Sequence, residues 1–240
     1  MTTKLLYLDD TRRCEADARV LRVLPAGDGR HVVILDATVF YPQGGGQPTD
    51  RGKITTPGGT LTVQRASIVD GDVHHAGMVY EGSIEPGDPA HLVIDAELRK
   101  AHEQLHTGGH LVMTAVDRLV GYYPIKSYHF PDNPYVEFDG AFPAERRDNL
   151  VEELQEAVDS MVADDSEVII RYAYTADLHA DGIYVPARIP AGNLTRVVVT
   201  AGYQSPCRGT HVQRLGELSG LRISALEVKY GRTRVSYLVN

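Results

Sequence analysis

Two ligand pairs, His106-x-x-x-His110 and Cys207-x-x-x-His211, constrain this chain more than any other feature, because they can serve one ion only if distant segments meet. Residues i and i+4 of a helix share a face, with Cβ atoms about 5 to 6 Å apart, so two imidazoles at that spacing reach one point. Among ten histidines in 240 residues, one such pair arises readily by chance. A second pair that uses one of only two cysteines does not. Together they predict a zinc-type set of His106, His110, Cys207 and His211, one Zn2+ per chain. The competing account is two core histidines with satisfied hydrogen bonds, a buried thiol and an exposed histidine.

A chain that is 42% hydrophobic and 23% charged can bury one large core or two modest ones. The start, MTTKLLYLDD, lacks the apolar run of a signal peptide, and no apolar stretch approaches 18 residues, so a cytoplasmic protein without a membrane span is expected. Cys14 and Cys207 cannot build a disulfide scaffold, and Cys207 would serve a metal only as a reduced thiolate. The formal net charge of -8 argues against a general nucleic-acid coat. Residues 188 to 240 nevertheless carry eight basic residues (Arg188, Arg196, Arg208, Arg214, Arg222, Lys229, Arg232, Arg234) against Glu217 and Glu227. That segment reads either as phosphate-binding charge beside the metal or as a solvated strand face.

Residues 1–90 alternate short β-prone runs with turns: Leu5 to Leu8, Ala18 to Leu24, His31 to Leu35, Gly52 to Thr55 and Thr60 to Val69. They predict a small β-rich domain. Glu85-Pro-Gly-Asp-Pro89 breaks the pattern and sets the expected boundary, with residues 91–240 as an α+β domain that opens on a strand at His91 to Ile94. A helix follows from an Asp95 N-cap, its apolar stripe running Leu98, Ala101, Leu105, Val112, Val116, Leu119. Gly108 and Gly109 lie between its two ligand histidines, each costing about 1 kcal/mol relative to Ala. Either something approaches closely there or the helix kinks or ends. Pro143 suits the first turn of a second helix with Leu150, Leu154, Val158 and Met161 on one face. Strands are expected at Tyr135 to Phe138, Val168 to Tyr172, Arg196 to Thr200, Leu221 to Lys229 and Arg232 to Leu238, the last two joined at Tyr230-Gly231.

A third stretch, Phe40-Tyr-Pro-Gln-Gly-Gly-Gly-Gln-Pro-Thr-Asp-Arg-Gly52, puts three glycines between β-prone runs. It offers a backbone that a ligand can approach, with Gln47 and Asp50 as polar handles, or a plain turn. Without Gly-Lys-Ser/Thr it is not a P-loop.

In this order and spacing, Phe40-Tyr-Pro-x-Gly-Gly-Gly-Gln-Pro-x-Asp-x-Gly52, His106-Thr-x-x-His110 and Cys207-x-Gly-Thr-His211 resemble the editing domain of alanyl-tRNA synthetase. The likeness is closer to the free-standing alanyl-tRNA editing hydrolases, the AlaX proteins of medium size. The resemblance implies a small N-terminal β-barrel-like domain followed by an α+β zinc-containing editing domain. It also implies a hydrolase that deacylates tRNA(Ala) mischarged with serine, and with glycine, while sparing Ala-tRNA(Ala). By position His106, His110, Cys207 and His211 match the zinc ligands, Thr107 matches a pocket hydroxyl, and Gly44, Gly45, Gly46 and Gln47 match a pocket wall. Thr107 is the candidate for reading the serine hydroxyl; its other reading is a helical threonine bonded one turn back. The sequence departs from the family at Arg208, where a glycine is usual, which places a guanidinium beside a ligand as a candidate substrate contact and leaves the amino-acid specificity open. Gly108-Gly109 and the extra His102 are further departures.

Zinc lowers the pKa of bound water from about 15.7 to about 7, so ester hydrolysis needs no Ser-His-Asp set. Cys207 as a nucleophile is the competing chemistry. Four protein ligands normally close a structural site, whereas catalytic zinc keeps three and a water. One ligand standing off, expansion to five-coordination, and zinc as an anchor all remain open. So do a tRNA-binding module without turnover and a hydrolase of another aminoacyl substrate.

Overall fold

The computed structural model describes residues 2–143, 145, 147–187 and 189–240, and the chain divides into two compact units, Met1–His102 and Glu103–Asn240. Arg188, one of the eight basic residues counted above, lies outside the described residues.

In the first unit β1 (Lys4–Leu5) pairs in parallel with β4 (Ala37–Thr38). Six strands close a barrel in the order β2 (Glu15–Pro25), β3 (Arg30–Leu35), β7 (Asp72–Gly82), β6 (Gly59–Val69), β5 (Gly52–Thr55) and β8 (Pro89–Ile94). Burial alternates strictly in β8 but not in β3, where Val33, Ile34 and Leu35 are all buried. Along β8, Ala90, Leu92 and Ile94 face the core while His91 and Val93 do not. In β6 the register shifts between Val63 and Arg65, so the buried series steps from Leu61 and Val63 to Ala66. The sequence pattern misses β7 because His75 and Gly77 share its buried face with Val73, where alternation calls for apolar residues. The expected strand over Leu5 to Leu8 ends at Leu5, and Leu6–Leu8 forms a 3-10 turn.

One buried ion pair organises this unit. The Arg99 guanidinium, 2% exposed, pairs with Asp50, 0% exposed, and donates to the carbonyls of Thr11 at 2.6 Å and Val39 at 2.7 Å. Asp50 also accepts the Tyr41 N–H at 2.6 Å. Asp50 is therefore a structural hub, whereas the sequence suggested a polar handle for a ligand. The glycine run is a tight turn: Gly44 and Gln47 exchange backbone hydrogen bonds of 3.2 and 2.9 Å, and Tyr41 Oη donates to Gly44 O. Positive φ at both central residues, 55° at Gly45 and 82° at Gly46, explains the glycines there. Gly44 and Gly45 are exposed and Gln47 is buried.

The helix α1 (Ala96–Val120) starts as expected, with Asp95 Oδ1 capping the Leu98 N–H at 3.0 Å. It runs unbroken through Gly108 and Gly109. The break at Glu85 to Pro89 precedes β8, which pairs with β2 and β5, and the compact units divide later, at His102/Glu103.

In the second unit β14 (Arg222–Lys229), β15 (Arg232–Leu238), β10 (Tyr135–Phe138) and β9 (Pro124–Tyr128) form one antiparallel sheet. A second contains β11 (Ile169–Tyr174), β12 (Leu194–Thr200) and β13 (Tyr203–Pro206). Helix α2 (Arg147–Ala163) buries Leu150, Leu154, Val158 and Met161 in the same core as Leu111, Val112, Val116 and Val235. It begins after Pro143, which the sequence placed in its first turn. The short α3 (Thr175–Ala180) follows β11. The architecture is mixed α/β, with a closed six-stranded barrel and few helices.

Candidate metal centre

Helix α1 supplies His106, Thr107 and His110, which are 1%, 0% and 2% exposed. Cys207 follows β13, and His211 ends a loop that Arg196 of β12 holds from beneath. The Arg196 guanidinium donates to Cys207 O at 2.7 Å and Gly209 O at 3.0 Å, and Cys207 N donates back to Arg196 O at 3.1 Å. The four candidate ligands meet, one ligand atom from each lying within 4.8 Å of every other. Cys207 Sγ is 3.5 Å from His106 Nε2 and 3.4 Å from His211 Nε2. A tetrahedral zinc with bonds of about 2.3 Å to sulfur and about 2.0 Å to nitrogen has S···N edges of about 3.5 Å. The donor set therefore fits such an ion.

The electrostatics agree. Burial first, then neighbouring imidazoles and Arg196, hold His106 and His211 well below the ordinary histidine range. Burial and Arg196 bring His110 down to about 4. All three therefore present neutral rings at pH 7, as ligation requires. Burial pushes the Cys207 thiol up, opposed by the Gly209 N–H and Arg196. A cation would reverse that effect, because a coordinating thiol is deprotonated. His110 Nδ1 is buried with no hydrogen-bond partner among the described residues, a state costly enough to point to a missing neighbour.

Thr107 has its hydroxyl fully engaged. Oγ1 donates to Glu103 O at 2.7 Å, accepts the Val212 N–H at 3.2 Å, and lies 3.1 Å from His211 Nδ1. Its one hydrogen is spent on Glu103, so the His211 contact is an imidazole N–H donating to the hydroxyl. That leaves the His211 lone pair on Nε2, the atom facing Cys207. One donor and two acceptor positions are occupied, so the expected hydrogen bond to a serine hydroxyl finds no free site on Thr107. The i−4 bond weighed from the sequence is present as well.

His102 belongs to the first unit, with Asp50 and Arg99 as its charged neighbours, and is not part of the donor set. Arg208 is exposed and makes no ion pair among the described residues. The other basic residues described in that segment are occupied: Arg196 as above, Arg214 with Asp165, Arg222 with Asp159, Lys229 with Glu227, and Arg232 and Arg234 with Glu137.

Sequence reasoning missed three residues at this site: Arg196, His129 and Tyr237. His129, 0% exposed, stacks on His106 with ring centroids 4.7 Å apart. Its Nδ1 lies 2.5 Å from Tyr237 Oη. A Cβ on Gly109 would run into His129 Cε1 and lie 2.9 Å from Tyr237 Oη, so the glycine makes room for these rings. The helix-disfavouring pair was the one sequence signal that something bulky approaches there.

A buried set of three histidines and one cysteine on a mixed α/β scaffold could hold a transition-metal ion. Residues 16–98 match the family of tRNA synthetases class II (A). The chain is 31% identical to the alanine-tRNA ligase of Thermofilum pendens over 98% of its own length and 26% of the ligase. It is 31% identical to that of Halobacterium salinarum, with the same shares, and 28% identical to that of Methanobrevibacter smithii, over 98% of the chain and 27% of the ligase. It spans about a quarter of the length of these relatives. The chain stands in an AlaX-like relation to the editing domain of alanyl-tRNA synthetase.

Proposed function

We propose that this protein is a trans-editing hydrolase that deacylates tRNA(Ala) mischarged with serine, and with glycine, in a zinc-dependent reaction in the cytoplasm. The observation that supports it most is the convergence of His106, His110, Cys207 and His211 in a chain aligned with alanine-tRNA ligases almost throughout its length. These four residues would hold zinc, which when bound polarises an ester carbonyl and makes water nucleophilic at neutral pH.

The remaining roles fall to the chain itself. Thr107 fixes the His211 tautomer, so its part in the reaction is positioning. Arg196 fixes the loop that carries Cys207 and His211. Arg208, exposed and free of ion pairs among the described residues, contacts a phosphate near the aminoacyl end of the tRNA. Gly44, Gly45, Gly46 and Gln47 enter as substrate-contacting residues on the family resemblance alone. So does the division of labour between a Gly-motif domain, 1–90, and an editing domain, 91–240.

The test is deacylation of Ser-, Gly- and Ala-tRNA(Ala) side by side by zinc-loaded protein, with Cys207→Ala as control. Loss of serine and glycine with alanine spared, abolished in the control, is the expected result. Stoichiometric zinc without hydrolysis of any of the three would instead favour the second reading, a zinc-stabilised tRNA-binding module, which the closed four-ligand set supports.

A further inference from the structure

Tyr237 Oη donates to Leu105 O at 2.8 Å, which spends the only hydrogen the phenol has. The 2.5 Å contact with His129 Nδ1 must therefore run the other way, from an imidazole N–H to the phenolic oxygen. This fixes the tautomer: His129 Nε2 carries a lone pair and can only accept. That atom is buried and has no hydrogen-bond partner among the described residues. It belongs to a ring stacked on His106, yet His129 is not one of the four converging ligands. A buried acceptor with no donor is costly, and in a folded protein a water, an ion or a ligand supplies the missing partner.

The carrier of that partner follows from the chemistry of the candidate substrates. Seryl, glycyl and alanyl esters share an ammonium group, and only the seryl group adds a hydroxyl. Thr107 has no hydrogen-bonding position left for it. We propose that His129 is the specificity-determining residue of this site, with Nε2 accepting the hydrogen bond of a seryl β-hydroxyl and Tyr237 acting as the positioning residue that locks the tautomer. This rests on the editing reading above. Alanine entering the same site would leave Nε2 unpaired, so the preference for seryl over alanyl groups arises from a polar group that alanine strands; glycine lacks the hydroxyl too, and this device does not select it. Gly109 belongs to the device, since a side chain there would displace the imidazole.

Two substitutions separate the halves of the imidazole. His129→Asn retains a donor for Tyr237 and removes the distal acceptor; His129→Gln carries an amide oxygen to the distal position. Zinc content, thermal melting and binding of the non-hydrolysable 3′-seryl-amino and 3′-alanyl-amino deoxyadenosines are measured for each, with deacylation alongside. Full zinc content and melting, a seryl-over-alanyl preference reduced at least about tenfold in Asn, and partial recovery in Gln are expected. Zinc loss in Asn, equal loss for both analogues, or an unchanged preference overturns the assignment. Nitrogen NMR of the zinc-loaded wild type gives an independent check, since a proton found on Nε2 also overturns it. Wild type that binds neither analogue and deacylates nothing removes the editing reading and this inference together. Discrimination by wild type that survives in Asn removes only the inference.

Discussion

Both compact units bury polar groups, and two of their clusters, the Arg99 and His75 networks of the first and the donor set of the second, treat them in opposite ways, although His102 of the first unit also keeps a buried nitrogen unanswered. In the barrel each of the main buried groups is answered from within: Arg99 by Asp50 and two carbonyls, and His75 by Val33 O at 2.9 Å and Thr38 Oγ1 at 2.8 Å. In the second unit three imidazoles and a thiol crowd one point, burial first and then charged neighbours hold the three imidazoles below the ordinary histidine range, and His110 and His129 each keep a nitrogen unanswered. Satisfied burial holds a fold together. Mutually unfavourable burial survives only if something outside the chain repays it, which is why the second cluster reads as a site and the first does not.

Asp50→Asn strikes the satisfied network hardest. It leaves a buried guanidinium uncompensated, at about 3 to 5 kcal/mol, and urea denaturation should show that loss with zinc binding intact. A loss below about 1 kcal/mol would mean that water reaches Arg99. Chelation acts on the other unit: at a free zinc concentration about 1,000 times Kd, metal contributes about 4 kcal/mol. Hydrogen exchange should then lose protection within residues 103–240 and keep it in β2, β3 and β6. Equal loss in both would erase the contrast. Acid gives the third separation. Burial holds His75 at about 4 against 6.5 when unfolded, so the fold keeps it neutral. Its contribution is complete above pH 6.5 and is lost as pH falls through 4, by up to about 3 kcal/mol, and His75→Gln should flatten that limb of the pH-stability curve.

What the sequence made legible followed short-range rules. The i, i+4 spacing put His106 and His110 on one face, the Asp95 cap started α1, and the leucine and valine stripe of α2 found its core. The positive φ values of Tyr230 and Gly231, 52° and 75°, mark the hairpin turn read there. What stayed hidden depends on partners far along the chain. Tyr237 meets Leu105 across 132 residues and His129 across 108, and no local pattern announces either contact. Thr107 shows the limit within a single residue, since its type suggested a pocket hydroxyl while its three bonding positions are taken by Glu103, His211 and Val212. Gly45 and Gly46 likewise answer to turn geometry.

His106 and Cys207 are 101 residues apart. An ion gripped by both would tie the chain into a loop of that length, as a disulfide does. In the chain-entropy account such a tie lowers the freedom of the unfolded state by about 4 to 5 kcal/mol. The segment inside the loop, which contains β9, β10, α2, β11 and β12, could then no longer peel away piece by piece without first releasing the clasp. Resistance of that stretch to proteolysis would be governed by the off-rate of a single ion.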